Sequence, residues 1–302
     1  SQQAFDLLLR VFIEPGDVVI VESPAYTAAL QALRLAGAEI LEVPVDAEGL
    51  RTDALEELLQ QPRARRAKLL YTVPNFSNPS GTLLSAGRRE ALVRLALMHD
   101  FLIIEDDPYG ELRFVDEVPA PLAAYGSRLG GERNPVIYLS SLSKTVAPAL
   151  RIGWLIGPPE IVRRCTVAKQ TGDLCTSPLN QVIAAEYLRA GRYPATVAAA
   201  RAEYGRRVDA LANGLATELE DRVSFTRPQG GMFLWAERTM PVDPQRLFQA
   251  CVEAGVLFVP GAVFYPGQPR QQTMRLSFAA PDVGQIEEGV QRLGEAFRRA
   301  AE

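Results

Sequence analysis

The 302-residue sequence contains few of the residues that build metal sites and disulfide frameworks. It has three cysteines, Cys165, Cys175 and Cys251, with no CxxC spacing, and one histidine, His99. A zinc site made from His and Cys would have few ligands to draw on, so we expect no metal. The chain also lacks a run of roughly 18 apolar residues and a basic start followed by an apolar h-region. We therefore expect no membrane partner and a cytoplasmic location.

The charge balance gives no reason to expect a polyanionic partner. The sequence has 32 Lys and Arg against 36 Asp and Glu, a net charge of -4, which is not the footprint of a nucleic-acid-binding surface. One short basic run, RARRAK at 63–68, precedes an apolar strand pattern, and we interpret it as a solvated connection. His99 ends a predicted helix and no GxSxG motif is present, so a hydrolase triad is not expected.

The pattern of apolar segments predicts an α/β fold. The strand-like runs VVIVES, AKLLYTVP, FLIIE and VIYLSS alternate with helical patterns, which favours a mostly parallel sheet sandwiched by helices. Two helix starts are predicted by Asp53 and Glu56 at capping-box spacing and by Ser85. Beyond about residue 158 long helices and shorter strands follow. We predict a large domain over 1–200 and a smaller C-terminal α+β domain over 201–302.

Polar side chains follow four of the predicted strands at the points where the strands end. In chain order they are Tyr26 after VVIVESP, Asn75 and Asn78 after AKLLYTVP, Asp106 and Tyr109 after FLIIE, and Ser141, Ser143 and Lys144 after VIYLS. The ligand site of an open parallel sheet lies outside the carboxyl ends of its strands, so we expect one shared cleft. Taken singly, each residue also fits a structural role, such as turn chemistry at Asn78 before Pro79.

Together these side chains suit the chemistry of an aldehyde-bearing pyridine cofactor. Lys144, if partly desolvated, is an amine nucleophile that can form a Schiff base with an aldehyde. Asp106 would keep a pyridine nitrogen protonated, which makes the ring an electron sink. Asn78 and Tyr109 can donate hydrogen bonds to a ring oxygen, and Tyr26 can stack on the ring face.

A phosphate group on such a cofactor would need donors and positive charge. Ser1 and Gln2 stand at the start of a predicted helix, where free N–H groups and the helix dipole favour an anion. Ser141, Ser143 and Arg151 would complete the phosphate site, Arg151 through charge-assisted hydrogen bonds. Considered alone, Arg151 also fits an ordinary edge-strand arginine whose stem covers apolar surface.

The motifs SQQ, PGD, ESPAY, NPSG, EDDPY, SLSK with Arg151, GGMF and MRLSF occur in this order along the whole chain. Their joint pattern resembles the fold-type-I pyridoxal-phosphate aminotransferases of class I/II. KQTGDLCTSPLNQ and VPGAVFY are most similar to the branch of 2-aminoadipate and kynurenine-type enzymes. The resemblance implies the cofactor pyridoxal 5'-phosphate and a seven-stranded, mostly parallel sheet.

The resemblance also implies a reaction and roles for single residues. Lys144 would be the Schiff-base lysine and the base that moves the substrate Cα proton, with Asp106 and Tyr109 as further catalytic residues. Asn78 and Arg275 would bind the substrate, Arg275 by holding its α-carboxylate. The expected reaction is ping-pong transamination between an L-amino acid and a 2-oxo acid, with 2-oxoglutarate as the expected acceptor. A homodimer is implied by the family.

Three alternatives stay open at this point. Family members carry a further segment before the SQQ motif, so an inactive aminotransferase fragment with a large exposed apolar patch is one of them. MocR-type transcription regulators, in which an aminotransferase-like domain senses pyridoxal phosphate, are another. Decarboxylation and β-elimination start from the same Schiff base and differ only in which substrate bond breaks.

Overall fold

A computed structural model describes residues 1–301. The strands of its large sheet are β1 (Val18–Ser23), β2 (Glu39–Asp46), β3 (Gly49–Leu50), β4 (Ala67–Thr72), β5 (Leu102–Asp106), β6 (Val136–Ser141) and β7 (Gly153–Ile156). They lie in the order β3-β2-β1-β4-β5-β6-β7. The five central strands are parallel, and the two edge strands β3 and β7 are antiparallel to their neighbours.

Helices cover both faces of this sheet. They are α1 (Gln2–Phe12), α2 (Thr27–Leu35), α3 (Thr52–Leu58), α4 (Ala86–His99), α5 (Leu122–Gly130), α6 (Pro159–Asp173), α7 (Pro178–Arg189) and α8 (Tyr193–Glu218). Successive strand residues point to opposite faces. Val19 and Val21 pack with α1 and α2, whereas Val18 and Ile20 pack with α3, α4 and α5. Each such side chain contributes about 1.5–3 kcal/mol when fully buried, and the predicted sandwich is confirmed.

A second, antiparallel sheet forms a smaller unit. Its strands are β8 (Val223–Phe225), β9 (Phe233–Arg238), β10 (Val259–Pro260) and β11 (Thr273–Ser277), in the order β10-β11-β9-β8. Helices α9 (Pro244–Glu253) and α10 (Val283–Ala301) and the later half of α8 pack on it through a separate core. The predicted boundary at residue 200 falls inside α8, which is continuous through it. The division into 1–200 and 201–302 stays a prediction.

Both predicted helix caps need correction. Helix α3 begins at Thr52, and Asp53 lies inside its first turn instead of capping it. The carboxylate of Asp53 is held by the Arg51 guanidinium, with 2.5 Å between Nη2 and Oδ2. Ser85 does precede α4, but its side chain makes no capping hydrogen bond.

The surface around α6 and α7 exposes many apolar side chains. Leu174, Leu179, Val182 and Ile183 are 79%, 68%, 58% and 46% exposed. We call these four residues the α6–α7 face. None of the helices within residues 1–301 combines the length and the apolar character needed to cross a membrane. The same residues contain no group of three or more His, Cys, Asp or Glu arranged to hold a metal ion.

Candidate active site

The carboxyl ends of the central strands border a cavity of about 250 Å³. The side chains predicted to bind the cofactor all line it: Ser1, Gln2, Tyr26, Asn78, Asp106, Tyr109, Ser141, Ser143, Lys144 and Arg151. Asn75 does not line this cavity, contrary to the prediction of one shared cleft. It is buried and accepts a hydrogen bond from Arg89, with 2.6 Å between Nη2 and Oδ1. Asn75 therefore holds the loop after β4 through its hydrogen bond with Arg89.

Asp106, the last residue of β5, is buried at one wall of the cavity. Its Oδ2 accepts a hydrogen bond of 2.9 Å from the hydroxyl of Tyr71. Its Oδ1 is buried and has no hydrogen-bond partner within residues 1–301. Burial raises the pKa of Asp106, and the Tyr71 hydrogen bond opposes that shift. A buried carboxylate oxygen without a donor is costly, and it fits a protonated ring nitrogen as its missing partner.

Tyr109 and Asn78 lie together on another wall. Tyr109 is buried, and burial raises the pKa of its phenol while the Asn78 side chain partly lowers it. The phenol therefore remains protonated and can donate a hydrogen bond. The Oδ1 of Asn78 accepts a hydrogen bond of 2.7 Å from Arg275. That contact leaves the amide N–H groups of Asn78 as donors toward the cavity side of Tyr109.

Lys144 lies in the turn that follows β6, three residues after Ser141. The side chain is half-buried. Among residues 1–301, no carboxylate comes within 4 Å of its ammonium group, whereas Lys68 and Lys169 each pair with an aspartate. A lysine without an ionic partner is available as a nucleophile or a base.

Ser141, Ser143 and Arg151 cluster at one end of the cavity. The backbone N–H of Ser143 donates to Ser141 Oγ at 2.9 Å, and the two hydroxyl oxygens are 2.8 Å apart. Arg151 adopts a left-handed backbone conformation with φ of 52°, which is unusual for a residue with a side chain and is often found at binding sites. Its Nη1 lies 3.5 Å from Ser143 Oγ and donates to the carbonyl of Pro148.

Helix α1 points its N-terminus at the same end of the cavity. Ser1 precedes the helix and its carbonyl accepts from the N–H of Phe5 at 2.8 Å. The first N–H groups of a helix have no partner inside the helix. With the two serine hydroxyls and the Arg151 guanidinium, they form an anion-binding site of the kind that holds phosphate.

Arg275, on β11 of the small sheet, does not line this cavity; it contacts the cavity residue Asn78, to whose Oδ1 it donates a hydrogen bond. The residues alone did not identify it, because nothing in TMRLSFA shows that this strand faces the large sheet. Tyr71 and Phe233 line the cavity and were missed. Tyr71 is the one aromatic residue in the aliphatic run AKLLYT, and Phe233 directly follows the GGM of GGMF. These two local features are the only sequence signals that could have marked them as candidate site residues.

An open α/β fold with a free lysine, a buried carboxylate and an anion site around one cavity defines an enzyme that uses pyridoxal phosphate. The model of the family "Aminotransferase class I and II" matches residues 1–293. The chain therefore belongs to that family and is a pyridoxal-phosphate-dependent aminotransferase, which confirms the resemblance seen in the motifs.

Several similar proteins carry related names. The chain is 41% identical over 300 residues to aromatic-amino-acid aminotransferase 1 of Thermococcus litoralis, covering 99% of this chain and 71% of that protein. It is 39% identical over 298 residues to the 2-aminoadipate transaminase of Thermus thermophilus, covering 99% and 74%. A solved structure of the Pyrococcus horikoshii kynurenine aminotransferase in complex with PMP superimposes with a TM-score of 0.94 at 39% identity, covering 100% and 74%.

Transcription regulators also match the chain. YisV of Bacillus subtilis, named an uncharacterized HTH-type transcriptional regulator, is 34% identical over 299 residues, which covers 98% of this chain and 59% of YisV. The aminotransferases share the higher identities and are covered over more of their length.

Proposed function

We propose that this aminotransferase exchanges the amino group of an L-amino acid with 2-oxoglutarate in a ping-pong cycle, with Lys144 as the Schiff-base residue. One observation carries the proposal: the free Lys144, the unpartnered Oδ1 of Asp106 and the anion site lie around one cavity. When bound, pyridoxal phosphate supplies an electron sink for the bond broken at the substrate Cα.

The chain's own residues hold and move the protons. Lys144 Nζ accepts the proton from the substrate Cα and gives it up again in the same half of the cycle. Asp106 would hold a proton at the ring nitrogen through its free Oδ1. Tyr109 and Asn78 would donate hydrogen bonds to the ring oxygen, and Tyr26 would contact the ring.

The phosphate end fixes the position of the ring. Ser141, Ser143 and the first turn of α1, with Ser1 and Gln2, supply neutral donors, and Arg151 supplies the positive charge. Charge-assisted hydrogen bonds are roughly twice as strong as neutral ones. These contacts hold the cofactor in place during the half of the cycle in which Lys144 is free.

Arg275 is the proposed receptor for the α-carboxylate, together with Asn78. Its guanidinium has planar geometry that suits two carboxylate oxygens, and burial lowers its pKa without discharging it. The names of the relatives favour an aromatic or 2-aminoadipate-type donor.

A half-reaction tests this function. The chain is loaded with pyridoxal phosphate, its visible absorbance is recorded, and phenylalanine, kynurenine, 2-aminoadipate, leucine and aspartate are added singly before 2-oxoglutarate. We expect the visible band to bleach with at least one donor and to return with 2-oxoglutarate. A Lys144→Ala variant is the control and should show neither change.

A band that forms and never bleaches with any donor would contradict transamination and would favour the regulator-like, cofactor-sensing function. Release of CO₂ or ammonia with the same donors, without recovery by 2-oxoglutarate, would assign another reaction to the same residues.

We further propose that the protein acts as a homodimer in which the α6–α7 face is covered by a second copy. Leu179 and Val182 are more than half exposed there, and contiguous apolar patches commonly mark interaction sites. Light scattering should give twice the monomer mass, and Leu179→Glu should reduce it to the monomer mass. Leu35→Glu is the matched control, because Leu35 is 90% exposed on a different helix; a monomeric wild type would contradict the proposal.

A further inference from the structure

Two aromatic rings contact the guanidinium of Arg275. Its Cζ lies 4.2 Å from the centroid of the Phe233 ring and 5.0 Å from that of Phe264. On the small sheet Arg275 pairs with Trp235 and Ser277 pairs with Phe233. Phe233 and Trp235 are two residues apart and therefore lie on the same face as Arg275, with Phe233 in the diagonal position. The sheet register itself thus places the Phe233 ring against the cation.

Arg275 has unusual polar surroundings for a half-buried cation. No carboxylate comes within 4 Å of it in the part of the chain that the structure describes, although 18 other arginines there form ion pairs. Its Nη1 donates to Asn78 Oδ1, and its Nε is buried without a partner. The cation is therefore stabilised by ring faces and one amide, and its charge is not neutralised by a carboxylate of the chain.

The Phe233 ring contacts a residue of the cofactor side of the cavity, and Phe264 is fixed by a backbone hydrogen bond and by the ring of Trp235. The Phe233 ring meets the Tyr109 ring edge to face, with 6.1 Å between centroids. Phe264 is almost fully buried, its carbonyl accepts a 2.8 Å hydrogen bond from the N–H of Ala25, and its ring packs edge to face on Trp235. The rings therefore define the position of Arg275 relative to the cofactor site.

We propose that Phe233 and Phe264 are positioning residues that hold the Arg275 guanidinium in the orientation that receives the α-carboxylate of the substrate. The proposal rests on the proposed role of Arg275. It predicts a larger effect on ligands that carry this carboxylate, because the rings act through the guanidinium and not on the reacting atoms.

The test uses Phe233→Leu and Phe264→Leu in the cofactor-loaded enzyme. Leucine keeps an apolar side chain and removes the ring face. The dissociation constant of 3-phenylpropionate, an unreactive carboxylate, is measured by calorimetry, and the single-turnover rate is measured with 2-phenylethylamine, which has no carboxylate. We expect 3-phenylpropionate to bind about 3- to 30-fold more weakly and KM for the amino acid to rise more than kcat falls. Because Phe233 lines the cavity, we expect the amine to slow as well, with a smaller fractional loss for the amine than for the amino acid.

Three control variants complete the design. Phe233→Tyr keeps the ring face and should restore binding to within about threefold of wild type. Phe248→Leu removes a ring that packs on Phe258 in the same small unit. This variant should leave the dissociation constant of 3-phenylpropionate and the kinetic constants for both substrates unchanged. Arg275→Gln tests the proposed role of Arg275 in binding the α-carboxylate.

The outcomes separate the two ideas. If Arg275→Gln weakens 3-phenylpropionate binding and Phe233→Leu leaves it unchanged, the positioning role is wrong and the role of Arg275 stands. If Arg275→Gln has no effect, the carboxylate role of Arg275 fails. If Phe233→Leu slows the amine as much as the amino acid, the ring acts on the whole site and the proposal is overturned. Circular dichroism checks that the Phe264→Leu variant folds, because Phe264 is buried. If that variant does not fold, the result for the half-buried Phe233 decides whether the positioning role stands.

Discussion

Tyr71 donates its hydroxyl hydrogen to Oδ2 of Asp106 at 2.9 Å, and the other oxygen of that carboxylate has no donor within residues 1–301. Burial raises the pKa of Asp106, and the Tyr71 hydrogen bond is the protein contact that most opposes the rise. Tyr71 is therefore a residue through which the protonation state of Asp106 can be tested.

Replacing Tyr71 with Phe should raise the pKa of Asp106 further, because the hydrogen bond from the neighbouring strand β4 is lost. The acid limb of the pH profile of kcat/KM should then move to higher pH. Tyr138→Phe is the control, since the Tyr138 hydroxyl bonds to the neighbouring Asp107 instead. Identical acid limbs in Tyr71→Phe and wild type would show that Asp106 does not control this limb.

Replacing Lys144 with Ala should reduce transamination by roughly 10³-fold or more, because the proposed proton carrier is removed. The anion site is untouched, so the variant should still bind pyridoxal phosphate. The sequence has only three lysines, Lys68, Lys144 and Lys169, and borohydride reduction followed by peptide mass spectrometry can locate the cofactor among them. We expect label on Lys144 in wild type and in Lys68→Ala; label on another lysine would contradict the assignment.

Arg151→Gln should weaken binding of pyridoxal phosphate by about 10- to 100-fold, the value of one or two hydrogen bonds to a charged group. Pyridoxal, which lacks the phosphate, should bind the variant and the wild type within about threefold of each other. Titrations followed by visible absorbance measure both constants. Arg164→Gln is the control, because Arg164 is exposed and pairs only with Glu160. An equal loss for both ligands would argue against a phosphate contact.

Glu22 should make the protein less stable as the pH rises. It is buried, hydrogen-bonds to Thr72 and Ser77, and burial raises its pKa from 4.5 to about 7. The folded state thus keeps a proton that the unfolded state loses above pH 4.5. The stabilisation is complete below that pH and is lost as the pH rises through 7, a change of about 3 kcal/mol.

Urea unfolding of Glu22→Gln at several pH values checks this prediction. Between pH 5 and 8 the free energy of unfolding of the variant should fall by about 2.5 kcal/mol less than that of wild type. Glu48→Gln, at an exposed position, should follow wild type. Parallel curves for Glu22→Gln and wild type would place the pH dependence elsewhere, for example on Glu105, whose pKa burial also raises to about 7.

The large sheet and the grouping of polar residues around one cavity could be predicted because both leave local signals. A strand buried on both faces is a continuous apolar run, and the polar residues that follow such runs meet at one edge of a parallel sheet. Asp106 and Lys144 were found in this way.

The parts that local patterns did not reveal depend on contacts between distant segments. Arg275 meets Asn78 across 197 residues, and no local pattern sets that register. Arg89 lies in the charged helical sequence GRREAL and reads as solvent-exposed, yet it is fully buried. It donates to the carbonyls of Leu84, Pro74 and Ala120 and to Asn75. The capping prediction at Asp53 failed because the nearby Arg51 offers its carboxylate a stronger, charged partner.

Asn78 contacts Arg275 through its carbonyl oxygen and lies against Tyr109 on the cofactor wall. Under the proposed function, a change at Asn78 alters donor selectivity and cofactor retention together, which matters for enzyme engineering. Changes at Asn78 and Arg275 should not combine additively, so a library that seeks a new amino donor is best built with both residues fixed.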